Sequence, residues 1–200
     1  MARSSKPVGR PAYDSKQKLV AATCALLAER GYEATSPQMI LQRAGIGQGS
    51  MYHHYRGKED LAFDAIAHMR GRTTAFLEGQ YDQLADTDGE AAAVTIVENA
   101  LARLFARREG QALIRLLADP TVGAIKPLAE ATRGWCDDIR AAVTAGLRGD
   151  APGDDPSIAA QAAAMLGIEV EDTVTQLLSR MLGQGVLNLP RWTSGETTDE

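Results

Sequence analysis

The chain has 200 residues, of which 44% are hydrophobic, 24% charged and 5% aromatic. Those proportions suit an ordinary globular protein. They exclude a disordered, collagen-like or disulfide-scaffold class, because the 19 glycines follow no three-residue period and there are only 2 cysteines. The net charge of −5 is unevenly spread: residues 1–58 carry nine Lys and Arg against Asp14, Glu29 and Glu33, a surplus of +6, which leaves −11 for the remainder.

A basic end raises local affinity for phosphates whatever the charge of the whole. Cys24 and Cys136 have no metal-ligand spacing and suit a reducing compartment, so a cytoplasmic location is expected. No apolar run reaches the roughly 20 residues of a membrane helix. Leu19 to Ala28 imitates the core of a secretion signal. However, Asp14 interrupts the basic region before it, and Glu29-Arg30 stands where a small-residue cleavage site would be.

In chain order, residues 1–13 read as a flexible basic arm containing Arg3, Lys6 and Arg10 among prolines and a glycine. Asp14 or Ser15 is expected to cap a first helix. In that helix Leu19, Ala22, Thr23, Leu26 and Leu27 form one buried face, and Gly31 ends it. Ser36 and Pro37 then suit the cap and first position of a second, short helix carrying Ile40, Leu41 and Ala44. Gly45-Ile46-Gly47 breaks the chain. Gln48 to Tyr55 reads as a third helix, which Gly57 ends. A long fourth helix opens at Lys58-Glu59-Asp60, its acids complementing the helix dipole. Further helices are expected near 58–86, 91–107, 111–118, 124–148 and 155–182, with a loosely ordered tail over 184–200. There is no alternating strand pattern and no repeat, so the expected class is all-α: a helix-turn-helix domain over 14–57 and a helical body over 58–183.

Residues 32–58 carry the functional signal. Two short helices joined by a glycine-containing turn form a helix-turn-helix, whose second helix enters the DNA major groove. Ile40, Ala44, Ile46, Met51 and Tyr55 would face the core, leaving Gln48, Gly49, Ser50, Tyr52 and His53 outside. Glutamine can pair with adenine through two hydrogen bonds, Gly49 lets the backbone approach, and Ser50 can bond bases or phosphate. Tyr52, His54 and Lys58 suit phosphates.

These residues, from Gly31-Tyr32-Glu33-Ala34-Thr35-Ser36 through Gly49-Ser50-Met51-Tyr52-His53-His54-Tyr55 to Lys58-Glu59-Asp60-Leu61, resemble the signature of the TetR family of bacterial transcriptional regulators. The resemblance covers about residues 15–62. It implies an all-helical, ligand-responsive homodimer that binds a double-stranded DNA operator and is, most often, a repressor. It places Ser36 and Pro37 at the start of the helix crossing the DNA backbone and Gln38 at a base-reading position. It makes Gln48, Gly49 and Ser50 the leading turn of the recognition helix, with Tyr52, His53, His54 and Lys58 on phosphates or flanking bases. Arg3, Lys6 and Arg10 would be either a DNA-contacting arm or a solvated tail. Two departures stand out. Gly47 replaces the usual Ser or Thr cap, and Leu41 replaces a small residue and is expected to spread the two short helices.

In the body, Ile125, Leu128, Thr132, Trp135, Ile139 and Val143 form one apolar stripe. Ala163, Leu166, Val170, Val174, Leu177 and Met181 form another. Such stripes suit helices packed at about 20°. By resemblance they join the mate in a dimer interface; the other reading is that they are only intramolecular core. Candidate walls of an effector pocket are Met69, Phe76, Leu104, Phe105, Leu113, Trp135 and Met165, with Asn99, Arg115 and Glu169 as polar contacts.

No cofactor or metal is expected, and enzymatic activity is not: the catalytic and phosphate-loop motifs are absent. Asp64 and His68, one helical turn apart, could share a metal or simply lie on the surface. A helical protein-interaction module without DNA binding is the alternative reading.

Overall fold

The computed structural model describes residues 10–85 and 90–148. All eight elements among them are helices: α1 (Arg10–Arg30), α2 (Pro37–Ala44), α3 (Gln48–His54), α4 (Lys58–Ala85), α5 (Glu90–Ala106), α6 (Arg108–Ala118), α7 (Pro120–Ala124) and α8 (Lys126–Arg148). The expected all-α class holds. The expected helix at 155–182, its stripe from Ala163 to Met181, and the tail lie outside the described residues.

Helix α1 starts four residues earlier than the sequence suggested. Residues 10–13, read as part of the arm, are its first turn. Pro11 is tolerated there because the first-turn amides have no partner within the helix. Asp14 therefore lies inside the helix and pairs with Lys18 at 2.7 Å instead of capping it. The burial of α1 is wider than one stripe, with every residue from 22 to 28 buried. It packs against α2, α3, α4 and α6.

The helix expected near 124–148 is present as α8, starting two residues later, and an unexpected short helix, α7, precedes it. Continuing α7 through Pro127 would remove a hydrogen bond and drive the proline ring into a carbonyl of the preceding turn. The chain instead leaves the helix at Ile125 (φ −94°, ψ 98°) and restarts at Lys126.

Helices α4 and α8 pack along each other. Leu61, Ala65, Ile66, Met69, Thr73 and Leu77 of α4 are buried, as are Leu128, Thr132, Trp135, Ile139 and Val143 of α8. The indole N–H of Trp135 donates to Thr73 Oγ1 at 3.1 Å, and Arg70 forks onto Asp138 at 2.7 and 2.9 Å. The stripe of α8 is expected either in a dimer interface or in intramolecular core. Leu128, Trp135 and Ile139 are 0–2% exposed in a single chain and belong to its own core, with Ile125 half-buried at its edge. A heptad stripe reports a helical partner without saying which chain supplies it.

Candidate nucleic-acid interface

The turn between α2 and α3 is built by two glycines with different tasks. Gly45 adopts a left-handed conformation (φ 63°), which brings its own amide and that of Ile46 onto the carbonyls of Gln42 and Leu41. Ile46 then points back onto the core. Gly47 is extended and offers no side chain to cap α3. Ser36 does cap α2, accepting the Met39 amide at 3.3 Å, with Pro37 in the first position. Leu41 is accommodated half-buried at the edge of the core.

The sidedness expected for α3 is present except at Ser50, which is half-buried instead of outside. Met51 is fully buried and Tyr55 nearly so, while Gln48, Gly49, Tyr52 and His53 are exposed. Tyr52 is 53% exposed, one of two large hydrophobic side chains left open among the described residues. Ser50 and His54 are half-buried, and the rings of His53 and His54 meet edge-on at 5.1 Å. Gln38 is exposed on α2. Arg3 and Lys6 lie outside the described residues, and Arg10 is the first residue of α1.

Lys58 is differently placed from a free phosphate ligand. Its Nζ donates to the Tyr32 carbonyl at 3.0 Å and stands 3.9 Å over the Tyr32 ring. Burial lowers its pKa, and the charges of Asp119 and Glu33 work against that shift.

The recognition unit is tied down from behind. Tyr55, just after α3, donates to Asp64 Oδ2 at 2.6 Å, and Lys16 of α1 reaches the same oxygen at 3.0 Å. Asp64 is thus engaged by these two groups. Among the described residues no cluster of three His, Cys, Asp or Glu could hold an ion. Arg43 forks onto Glu29, with one arm at 2.6 Å, and Arg56 onto Asp60 at 2.7 and 3.0 Å. The surplus of +6 therefore overstates the free charge. Glu59, Asp60 and Asp64 follow directly, bring the count to +3 by residue 64, and two of them neutralise cations of the basic end.

The described residues among those proposed for an effector pocket lie in the core, at its edge and on the surface. Met69, Leu104, Leu113 and Trp135 are packed into the core at 0–2% exposure, and Phe76 and Phe105 lie half-buried at its edge. Asn99 is exposed, Arg115 donates its Nε to the Ala28 carbonyl at 2.8 Å, and Met165 and Glu169 lie outside the described residues. A groove of about 390 Å³ lies elsewhere, between the end of α1 and the α6–α7 corner, lined by Arg30, Arg115 and Asp119 among others.

The arrangement is that of a helix-turn-helix protein: a short helix anchored by Met51 and Tyr55, presenting its opposite face. Residues 19–65 match the model of the bacterial regulatory proteins of the tetR family. It is 31% identical over 83 residues to the HTH-type transcriptional repressor KstR2 of Mycolicibacterium smegmatis, covering 42% of this chain and 36% of that protein. It is 36% identical over 58 residues to the HTH-type transcriptional regulator LmrA of Bacillus subtilis, covering 28% and 31%. The chain thus spans about a third of the length of these curated relatives. The fold is similar to that of GusR from Salmonella enterica (TM-score 0.59, 17% identity, 89% and 84% covered). It is also similar to that of PfmR, a TetR-family regulator from Thermus thermophilus (TM-score 0.54, 20% identity, 84% and 83% covered).

Proposed function

We propose that the protein is a sequence-specific DNA-binding transcriptional repressor, acting as a homodimer and released from its operator by a small-molecule effector. The observation that carries this reading is the outward face of α3: Gln48, Gly49, Tyr52 and His53 stand exposed on a helix whose other face is locked in the core. A glutamine at the first turn reads adenine, a glycine beside it admits the DNA backbone, and an exposed tyrosine reaches phosphate. Repression is the activity named for the relative KstR2. A two-fold dimer would set two such helices about 34 Å apart, on successive turns of the major groove. An effector that favours another spacing of the heads would weaken DNA binding, and DNA would weaken effector binding by the same factor.

The test is fluorescence anisotropy of the full-length protein on DNA flanking its own gene, at two salt concentrations and against nonspecific competitor. Competitor-resistant binding that weakens steeply with salt is expected. Absence of DNA affinity even at low salt would contradict the reading and favour a protein-interaction module.

A further inference from the structure

Asp119 occupies the corner between α6 and α7 and uses its two oxygens for different tasks. Oδ1 accepts the Thr121 amide at 2.9 Å, capping α7. Oδ2 accepts the Glu33 amide at 2.8 Å, in the turn between α1 and α2, 86 residues earlier in the chain. The turn it grips is stiff. Gly31 adopts a left-handed conformation (φ 78°), Thr35 Oγ1 donates to the Gly31 carbonyl at 2.6 Å, and the Thr35 amide donates to Tyr32 at 3.1 Å. Ser36, the cap of α2, follows at once. A displacement at Glu33 is therefore passed on to the helix that carries the recognition turn.

The other end of α6 is also tied. Glu109, 4% exposed, accepts Arg72 Nε of α4 at 2.6 Å, and Arg115 in the last turn of α6 holds the Ala28 carbonyl of α1. Helix α6 thus spans from α4 to the α1–α2 turn, with a polar attachment at each end.

We propose that Asp119 is the positioning residue through which the helical body sets the orientation of the helix-turn-helix, its bond to the Glu33 amide being the link between α6 and the DNA-reading unit. The inference rests on the DNA-binding reading above. It names the contact through which binding at α3 and the state of the body are coupled.

The chemistry of the side chain allows a selective test. Asn has one carboxamide oxygen, so Asp119→Asn can accept the Thr121 amide or the Glu33 amide but not both, and turns an N–H₂ donor toward the other. Asp119→Ser keeps a capping hydroxyl that is too short to reach Glu33. The probe is a duplex selected by the full-length wild-type protein from a random pool, and the readout is amide hydrogen exchange with and without that duplex. In the wild type the duplex slows exchange over residues 48–58 and also over 108–124. In Asp119→Ser the slowing over 48–58 persists, while the DNA-dependent slowing over 108–124 falls by about tenfold, within the usual range of coupling factors. A merely structural role would speed exchange over 108–124 by the same factor with and without DNA. That result, or wild-type slowing in Asp119→Ser, would overturn the inference. Failure of the wild type to select any duplex would overturn the DNA reading itself.

Discussion

The phenol of Tyr55 donates to Asp64 at 2.6 Å, so the residue that closes α3 is fastened to the second turn of α4. Lys16 reaches the same carboxylate from α1, making Asp64 the point at which three helices of the reading unit are joined. Removing the phenol oxygen should cost about 1 kcal/mol, the net worth of a partly buried hydrogen bond. Tyr55→Phe is therefore expected to unfold at lower urea concentration than the wild type with an unchanged slope.

The same carboxylate predicts a pH dependence. Burial pushes the Asp64 carboxyl up, but the Tyr55 phenol and the Lys16 ammonium outweigh it and hold the group below its ordinary 3.8. A carboxyl whose pKa is lower in the folded state stabilises the fold above its unfolded value and ceases to do so as pH falls through the folded value. The stability gap between wild type and Asp64→Asn should therefore be constant well above pH 3.8 and close below it. Thermal melts of the two proteins across that window check this. A gap that persists at the acid end would contradict it.

Much of the reading unit was legible in the sequence because its signals are local. Ser36-Pro37 starts α2, Gly45 and Gly47 make the turn, and the spacing of Ile40, Met51 and Tyr55 gives the inward face. What was missed is non-local. Asp119-Pro120 was visible only as punctuation, since nothing near it announces a partner 86 residues away at Glu33. Asp64 was seen as a neighbour of His68, whereas its partners come from α1 and the end of α3. The α8 stripe showed its periodicity but not that α4 of the same chain would fill it. Pro127 was the available signal for the break at Ile125.

Lys58 and Tyr52 should differ in their salt response. Lys58→Ala removes a cation beside the proposed phosphate contacts. Its Nζ is held on the Tyr32 carbonyl, so its loss should weaken binding to all sequences and reduce the slope of log affinity against log salt by less than the roughly 1 of a direct phosphate contact. Tyr52→Ala removes a neutral side chain, so it should weaken binding without changing the slope. Anisotropy titrations at several salt concentrations distinguish the two.

The placement of Leu128 in the core of one chain predicts a stability defect. Leu128→Ala should cost about 2–5 kcal/mol and lower Tm, as large-to-small core changes do. Sedimentation below that Tm should show the mass of the wild type. A lower mass with an unchanged Tm would put Leu128 on a subunit contact.

Two glycines in helices predict opposite signs. A Cβ on Gly110 would lie 2.3 Å from the Leu104 carbonyl oxygen and 2.5 Å from Phe105 Cα, both backbone atoms that cannot swing aside. Gly110→Ala should therefore destabilise by about 3 kcal/mol. Gly71, exposed in the middle of α4, has nothing within 4 Å of its added Cβ, so Gly71→Ala should stabilise by about 0.5–1 kcal/mol. Denaturant unfolding of both variants checks the pair.

Parallel selection from a random duplex pool by the wild type and by Gln48→Ala asks whether the exposed face of α3 reads bases. The wild type is expected to enrich one sequence, and the variant the same sequence with preference lost at one position, because base contacts specify and phosphate contacts only position. An identical, fully preserved motif from both proteins, or no enrichment by the wild type, would contradict the claim that the exposed face of α3 reads DNA.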